Sequence, residues 1–263
     1  MARSVRMYGS SYWTHPRFSD ERLMSACEAL QADVAETWSG PISPFLTLLR
    51  SGDQAAVGIA LDVFQRSSAL SRFGGAPLYG AHQAEVLNAA RELLRQPPSS
   101  ADMSPETGAG ANHASALNAM MNVAEQQDCD LIADALERTT NPAVVEAAAD
   151  AAGAAFFHTE GPPHVRLLAL VAAYIDDADR PLQLRVRMLS ALEGCQAPEA
   201  TAYLLRALHR PEVEIQVQAA AGLANGDRLD AHRELLERVA ASWPDDAPYL
   251  AEEVRRILAG EDD

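Results

Sequence analysis

The stretch DCDLIADALERTTNPAVVEAAADAAGAAF, residues 128–156, decides the fold that we predict for this chain. Its first half carries apolar residues at Leu131, Ile132 and Leu136, and its second half continues from Val145, in both cases at helical spacing. Two amphipathic helices cannot bury both of their apolar stripes against each other alone. The stretch therefore predicts a helix pair that packs against neighbouring pairs of the same kind.

The turn between these two helices contains Asn141 and Pro142. An asparagine side chain accepts hydrogen bonds from the amides at a helix start. Proline suits the first helical position, because the N–H that it lacks would have no partner there. We therefore expect the second helix of the pair to begin at Pro142.

The same pattern returns along the chain, with short punctuated turns between the segments. Helices are predicted from Ser19, over Phe45–Arg50 with Gln54–Leu70, over His82–Arg95, over Ser115–Gln126, and as pairs over 163–194, 198–224 and 228–259. A valine recurs on the inner face of the second helices, with a period of about 30–40 residues outside the interrupted middle. These valines are Val57, Val86, Val145, Val186, Val217 and Val254. The prediction is an all-α fold of about 12–13 helices.

The composition agrees with a helical fold. Aromatic residues make up 6% of the chain, and alanine and leucine dominate its apolar fraction. Alternating runs of β-branched residues, which are typical of strands, do not occur. We expect no substantial sheet.

One segment, VRMLSALEG at 186–194, is similar to the second helix of HEAT repeats, whose pattern is Val-Arg-x-x-Ala-x-x-Leu-Gly. Looser matches are VEAAADAAG at 145–153, VQAAAGLAN at 217–225 and VRRILAG at 254–260. Over residues 41–260 the chain thus resembles the HEAT-repeat family. The resemblance implies a right-handed α-solenoid of stacked antiparallel helix pairs. The arginine that follows the valine in the family is present only as Arg187 and Arg255, which departs from a family-type ladder of charges.

The predicted organisation is one HEAT-like domain over 19–260. An arm or cap at 1–18 precedes it, and an acidic tail at 261–263 follows it. Residues 96–112, QPPSSADMSPETGAGAN, lack periodicity and are predicted to form an exposed insertion loop. A loop of this length inside an array is usually either functional or disordered, so both readings stay open.

The formal net charge is −16, and it is unevenly distributed. Residues 1–130 contain 14 acids and 9 arginines, whereas 131–263 contain 23 acids and 12 arginines; lysine is absent. A surface this negative repels phosphates, so we expect neither nucleic acid nor an anionic membrane as a partner. A basic protein suits it better. Acidity that only keeps the protein in solution is the alternative.

Compartment and cofactors are also predicted from the residues. Cys27, Cys129 and Cys195 are odd in number and widely spaced, which gives neither a disulfide framework nor a zinc site. The first residues lack an apolar run of signal-peptide length, and no apolar stretch is long enough to span a membrane. We expect a cytoplasmic protein without a cofactor.

The sequence contains no catalytic motif that we can assign. His158, Glu160 and His164 in FFHTEGPPH are the one cluster that suggests metal ligands, but ordinary turn residues explain them better, and no metal is predicted. The acids of IDDADRP, residues 175–181, lack calcium-loop spacing and are expected to form a turn. Some HEAT-like proteins are DNA glycosylases or bilin lyases; glycosylases of that type use a basic groove, which this acidic chain lacks.

Polar residues beside the valines of the second helices form the predicted contact row on the concave face of the array. This row comprises Glu146, Asp150, Gln183, Arg187, Glu214, Gln218 and Arg255. Our leading hypothesis is a non-catalytic protein that binds a basic protein there, in a narrower form as an immunity or inhibitor protein for a cationic toxin such as a nuclease. The alternatives are an adaptor that uses the arm and the 96–112 loop, and a HEAT-like enzyme. A solvated helix face without a partner is the simplest alternative.

Overall fold

The computed structural model describes residues 18–36, 41–71, 80–104, 111–159, 161–224 and 228–261. Over these residues the fold is all-α, with thirteen α-helices, two short 3₁₀ turns and no strand. The helices are α1 Glu21–Glu36, α2 Ser43–Leu49, α3 Gln54–Ser71, α4 Gln83–Arg95, α5 Asn112–Met120, α6 Cys129–Arg138, α7 Pro142–Phe157, α8 Val165–Asp176, α9 Leu182–Ser190, α10 Pro198–Ala207, α11 Val213–Leu223, α12 Arg228–Ala241 and α13 Tyr249–Ala259. None of these helices is long and apolar enough to cross a membrane.

The turn that opens α7 is as predicted. Helix α7 begins at Pro142, and the amide of Ala143 donates to Asn141 Oδ1 at 2.8 Å. The expected helix pairs over 128–156, 163–194, 198–224 and 228–259 correspond to α6–α7, α8–α9, α10–α11 and α12–α13. The all-α prediction is therefore confirmed for the described residues.

The predicted helix over Ser115–Gln126 is wrong at both ends, because α5 covers Asn112–Met120. A new start signal interrupts the expected continuation. The Glu125 side chain accepts from the third amide of the turn Gln126–Asp128, and Glu125 N donates to Asp128 Oδ2 at 3.0 Å. This capping box fixes the start of the next helical segment.

The chain forms two compact units, each with its own set of helices. Unit 1 comprises residues 1–122 and 131–148, and unit 2 comprises residues 123–130 and 149–263. The single domain over 19–260 stays a prediction. The predicted arm 1–18 lies outside the described residues except for Phe18, and of the tail only Glu261 is described.

Unit 1 contains a helix that does not fit the pair pattern. Helix α1 packs on α2 and α2 on α3, but α5 packs against both α3 and α4. The approach of α5 to α3 is close: a Cβ built on Gly58 would lie 2.6 Å from Asn112 Oδ1. A side chain at position 58 would therefore require the Asn112 side chain to shift.

A buried carboxylate holds the turn after α4 to the rest of unit 1. Asp102 is fully buried, its Oδ2 accepts from Ser99 N at 2.8 Å and Ser99 Oγ at 2.7 Å, and its Oδ1 accepts from His113 N at 2.8 Å. The carbonyls of residues 101–103 accept hydrogen bonds from the side chains of residues 139–141 at 2.6–2.7 Å. We call Ser99, residues 101–103, His113 and residues 139–141 the Asp102 hub.

The Asp102 hub limits the prediction of an exposed loop over 96–112. Within the described part of that stretch, Pro97, Ser100 and Met103 are exposed as predicted, whereas Asp102, Ala111 and Asn112 are buried. Residues 105–110 lie outside the described residues. Pro, Ser and Gly content predicted the missing periodicity, but composition does not reveal that one aspartate in the stretch accepts three hydrogen bonds, one of them from the buried His113 amide.

Unit 2 is built from adjoining helix pairs. Helix α8 packs on α9, α10 on α11 and α12 on α13, and the second helices also pack on each other, α9 on α11 and α11 on α13. Val217 and Val254 are buried as predicted, but Val186 is only half-buried. In α9 the inner positions belong to Leu184, Arg185 and Met188 instead.

Arginines join the helix ends of unit 2. Each donates to a carbonyl in the last turn of a helix, where four carbonyls lack a partner within the helix. The pairs are Arg185 Nε with Ile175 O at 2.9 Å, Arg228 Nη1 with Gly222 O at 3.2 Å, Arg233 Nη1 with Leu258 O at 2.9 Å, and Arg255 Nη2 with Ala240 O at 3.4 Å. We call Arg185, Arg228, Arg233 and Arg255 the arginine brackets.

Candidate functional site

The structure brings two residues of the predicted contact row into direct contact. Arg187 Nη2 on α9 lies 2.5 Å from Asp150 Oδ1 on α7. The Asp150 side chain is 17% exposed, whereas that of Arg187 is 48% exposed. Asp150 therefore has an ion-pair partner within the chain.

A second contact continues the row from α9 to α11. The Gln218 side chain donates to Glu193 Oε1, and Glu193 lies just after the end of α9. Glu193 extends along α11, since a Cβ built on Gly222 would lie 3.3 Å from its Cγ. A side chain at position 222 would therefore require the side chains of Glu193 and Leu204 to shift slightly. We call Asp150, Arg187, Glu193 and Gln218 the polar ladder.

Both carboxylates of the polar ladder have raised pKa values. Burial raises the pKa of Asp150, and the charge and hydrogen bonds of Arg187 oppose this effect. Burial also raises the pKa of Glu193, against the hydrogen bond from Gln218 and the charge of Arg187, while the charge of Glu253 raises it further. The partners of the two carboxylates thus compensate only part of the effect of burial.

The other members of the predicted row differ in their surroundings. Arg255 donates to the carbonyls of Ala240 and Trp243, and its guanidinium lies 5.9 Å from the centroid of the Trp243 ring. Gln183 is exposed and Glu214 is half-buried. Glu146 belongs to unit 1 and is half-buried there. The partner-binding role of the row stays a prediction, and four of its seven members make side-chain contacts within unit 2.

The histidines of the turn at 158–164 make structural hydrogen bonds. His158 Nδ1 lies 3.0 Å from Ala124 O. His164 Nδ1 accepts from Leu167 N at 3.4 Å, which caps α8, and its Nε2 lies 3.5 Å from Asp130 Oδ1. Glu160 lies outside the described residues. Among the described residues no three His, Cys, Asp or Glu side chains come close enough to hold a metal ion.

The acidic turn at 175–181 is tied to arginines. Arg210 donates to Asp176, and Arg180 Nε donates to Asp177 Oδ2 at 3.1 Å. Asp177 Oδ1 also accepts from Asp179 N at 3.1 Å. These contacts agree with the expected turn, in which side chains and main chain close the end of α8.

The last helix pair carries an exposed acidic surface that the contact row did not include. All eight acids in residues 228–261 are exposed: Asp230, Glu234, Glu237, Asp245, Asp246, Glu252, Glu253 and Glu261. Of the five arginines in the same residues, only Arg238 and Arg256 are exposed, because the other three are arginine brackets. Charge counting along the sequence cannot separate the two groups, since it counts a buried arginine like an exposed one.

A shallow hollow lies between α12 and α13 on this last pair. It has a volume of about 240 Å³ and is lined by Glu237, Ala240, Ala241, Arg255 and Leu258. Tyr249, at the start of α13, is 69% exposed. The helical spacing of the lining residues is visible in the sequence, but the pairing of the two helices that creates the hollow is not.

Comparison with known proteins adds no relative. No protein-family model matches the chain, and none of the curated proteins shows significant similarity to it.

Proposed function

We propose that this chain is a non-catalytic protein-binding protein of the HEAT-like solenoid type, and that its partner is a basic protein. The observation that carries the proposal is the imbalance of exposed charge in residues 228–261, where eight acids and two arginines are exposed. An exposed field of one sign steers an oppositely charged partner and raises the association rate.

The packing of unit 2 supports the repeat part of the proposal. The second helices α9, α11 and α13 each pack on their own first helix, and α9 packs on α11 and α11 on α13. That is the pattern of contacts that stacked helix pairs make. The Asp150–Arg187 contact is a further link of this kind, because it joins the second helices α7 and α9.

The use of arginine in unit 2 supports a protein rather than a nucleic acid as the partner. Nucleic-acid binding depends on clustered cations that release the counterions of phosphates. Here Arg185, Arg228, Arg233 and Arg255 donate to main-chain carbonyls. These guanidinium groups are therefore already engaged within the chain, and in residues 228–261 the exposed acids outnumber the exposed arginines.

The surroundings of the titrating acids support a non-catalytic role. Burial raises the pKa values of Asp62, Asp150 and Glu193, which is a common property of catalytic acids. Each of the three, however, is bonded to another side chain of the chain: Arg66, Arg187 and Gln218 respectively. Such pairs are typical of structural networks.

In its narrower form the proposal is that the chain inhibits a cationic toxin, such as a nuclease. An inhibitor of this kind competes with nucleic acid for a basic active-site groove, and exposed carboxylates match the charge of that groove. A cationic toxin encoded directly beside this chain is the first partner to test.

The experiment is affinity capture from cells that carry the gene, with wild-type protein and two charge variants as baits. E252K/E253K reverses two exposed acids of α13, and E21K/E28K reverses two exposed acids of α1. We expect wild type and E21K/E28K to capture the same basic protein at about 50 mM salt. We expect E252K/E253K to lose most of it, and all baits to lose it near 1 M salt, where the Debye length is about 3 Å.

Two results would count against the proposal. Capture of no basic protein by the wild-type bait at low salt removes its main expectation. Equal loss of the captured protein from both charge variants would show that overall acidity, and not the last helix pair, decides binding.

A further inference from the structure

The hollow between α12 and α13 has the size of a side-chain site. Its volume of about 240 Å³ lies below the roughly 300–1,000 Å³ that small-molecule sites occupy. A partner residue that fills such a hollow becomes an anchor when its surroundings exclude water. The hollow is therefore suited to one long side chain of a protein partner.

Two adjacent helices supply the lining at regular spacing. Glu237, Ala240 and Ala241 are three and four residues apart on α12, and Arg255 and Leu258 are three residues apart on α13. Residues at these spacings share one helix face. The floor is thus apolar, from two alanines and a leucine, and the exposed carboxylate of Glu237 stands at its edge.

Four charges at the hollow decide the kind of side chain that fits, and one of them is Arg233, which donates to the carbonyl of the lining residue Leu258 at 2.9 Å. Glu237 has no ion-pair partner among the described residues. Ala240 and Ala241 are the last residues of α12, so the hollow lies at the negative end of that helix. Arg255 is positive, but it already donates to the carbonyls of Ala240 and Trp243.

Unit 2 itself shows which side chain binds at the C-terminal end of a helix. In all four arginine brackets a guanidinium donates to a carbonyl in the last turn of a helix. A guanidinium offers five donors in a planar fork, which matches a carboxylate such as that of Glu237 better than an ammonium group does. Its aliphatic stem covers apolar surface on the way.

We propose that the hollow between α12 and α13 receives an arginine side chain of the basic partner, with its stem over Ala240, Ala241 and Leu258 and its guanidinium at Glu237. This inference rests on the proposed function and names the residue type that anchors the partner. It places the anchor on the last helix pair and not on the polar ladder.

The test uses the full-length chain with nona-arginine as the probe, and nona-citrulline as a probe of nearly the same shape without charge. Ala241→Leu fills the hollow, and Ala231→Leu makes the same change at an exposed position at the other end of α12. Glu237→Gln removes the carboxylate, and Glu199→Gln removes an exposed carboxylate of α10. Circular dichroism and thermal melts verify that each variant is folded.

We expect Ala241→Leu and Glu237→Gln each to weaken nona-arginine binding by about fivefold or more, as the loss of an anchor contact does. We expect less than about a twofold change from either control, since isolated surface substitutions have small effects. Amide chemical shifts of the wild type should change around Ala240, Ala241 and Leu258. Nona-citrulline should not bind.

The outcomes separate this inference from the proposed function. If Glu199→Gln weakens binding as much as Glu237→Gln, and Ala241→Leu has no effect, the acidic surface stands and the anchor site is wrong. If nona-citrulline binds as well as nona-arginine, the guanidinium has no role. If wild type does not bind nona-arginine even at about 50 mM salt, both proposals fail.

Discussion

The two units hold their helix ends with opposite charges. In unit 1 a carboxylate, Asp102, accepts from main-chain and side-chain donors, one of which is an amide in the first turn of α5. In unit 2 guanidinium groups donate to carbonyls in the last turns of α8, α11, α12 and α13. Each choice matches the helix dipole, which favours anions at N-termini and cations at C-termini.

The difference has consequences for tolerance to mutation. A fully buried carboxylate needs all of its hydrogen-bond donors in place. Each donor that is missing leaves part of the free-energy cost of burying the charge uncompensated. The guanidinium groups instead occur in four separate places, so no single one of them holds all the junctions. We infer that in unit 1 one substitution, at Asp102, causes a large loss of stability. In unit 2 the loss is smaller for each arginine bracket that is replaced.

The largest expected effect is that of Asp102→Ala. It leaves the half-buried donor Ser99 N and the buried donor His113 N without their acceptor and should lower the free energy of unfolding by about 3–5 kcal/mol. Denaturant titration measures the loss, and hydrogen exchange at the His113 amide localises it.

Two comparisons sharpen this result. Asp102→Asn keeps the shape and one acceptor oxygen, so an intermediate loss is expected. Asp53→Ala removes the exposed N-cap of α3, whose Oδ1 accepts from Ala56 N at 2.9 Å, and should cost about 1 kcal/mol. A loss below that of Asp53→Ala would show that Asp102 does not hold the turn.

The next effect in size is that of Arg228→Met. Its guanidinium donates to the carbonyls of Glu193, Cys195 and Gly222, and methionine retains only the apolar part of the side chain. We expect a loss of about 2–3 kcal/mol in the free energy of unfolding. Arg206→Met is the matched control, because this exposed arginine makes a cation–π contact with Tyr203, at 4.7 Å. The control should change stability by less than about 0.5 kcal/mol, and equal losses would contradict the bracket role.

Much of the helical pattern could be predicted from the sequence, since amphipathic spacing and turn residues act locally. Asn141 and Pro142 are the clearest example, because an N-cap depends on neighbours two residues away. The prediction of a helix over Ser115–Gln126 was wrong for an equally local reason. The capping box at Glu125 and Asp128 starts a new helical segment there and competes with continuation of the preceding helix. The spacing of Glu125 and Asp128, three residues apart, is the sequence signal for this new start.

The long-range polar contacts could not be predicted in the same way. Asp102 meets His113 eleven residues away, and Thr139 thirty-seven residues away meets its carbonyl. Arg185 stands next to the predicted core valine Val186 and takes the inner position in its place. Hydrophobic periodicity predicts that a charged residue is exposed. The burial of Arg185 is explained instead by its bonds to the carbonyl of Ile175 and the carboxylate of Glu212.

A smaller expected effect is a difference between the two units in how their stability depends on pH. Burial lowers the pKa of His113, whose Nε2 is buried without a hydrogen-bond partner, although the charge of Asp102 opposes the shift. The unfolded chain takes up this proton near pH 6.5 and the folded chain only at lower pH, so stability falls as pH falls below about 6.5. His113→Gln keeps the main-chain bond to Asp102 and should flatten this dependence.

The opposite sign is expected in unit 2. Burial raises the pKa of Glu193, so the folded chain takes up its proton at a higher pH than the unfolded chain. Its contribution to stability therefore falls as pH rises through that range, and Glu193→Gln should stabilise the chain at pH 7. Hydrogen exchange resolved by residue can follow both units in one titration. Slopes of the same sign in both, unchanged by the two variants, would contradict this assignment.

The smallest expected effect tests the polar ladder of unit 2 against an ordinary surface ion pair. A double-mutant cycle of Asp150→Ala and Arg187→Ala should give a coupling free energy of about 1 kcal/mol, because the Asp150 side chain is 17% exposed and Arg187 opposes the cost of its burial. The same cycle on Asp177 and Arg180, whose side chains are 41% and 44% exposed, should give about 0.3 kcal/mol or less. Salt should reduce the second value more than the first, since a half-buried pair is screened less. Equal couplings with equal salt dependence would mean that the Asp150–Arg187 contact adds nothing to the junction of α7 and α9, and that apolar packing alone joins these helices.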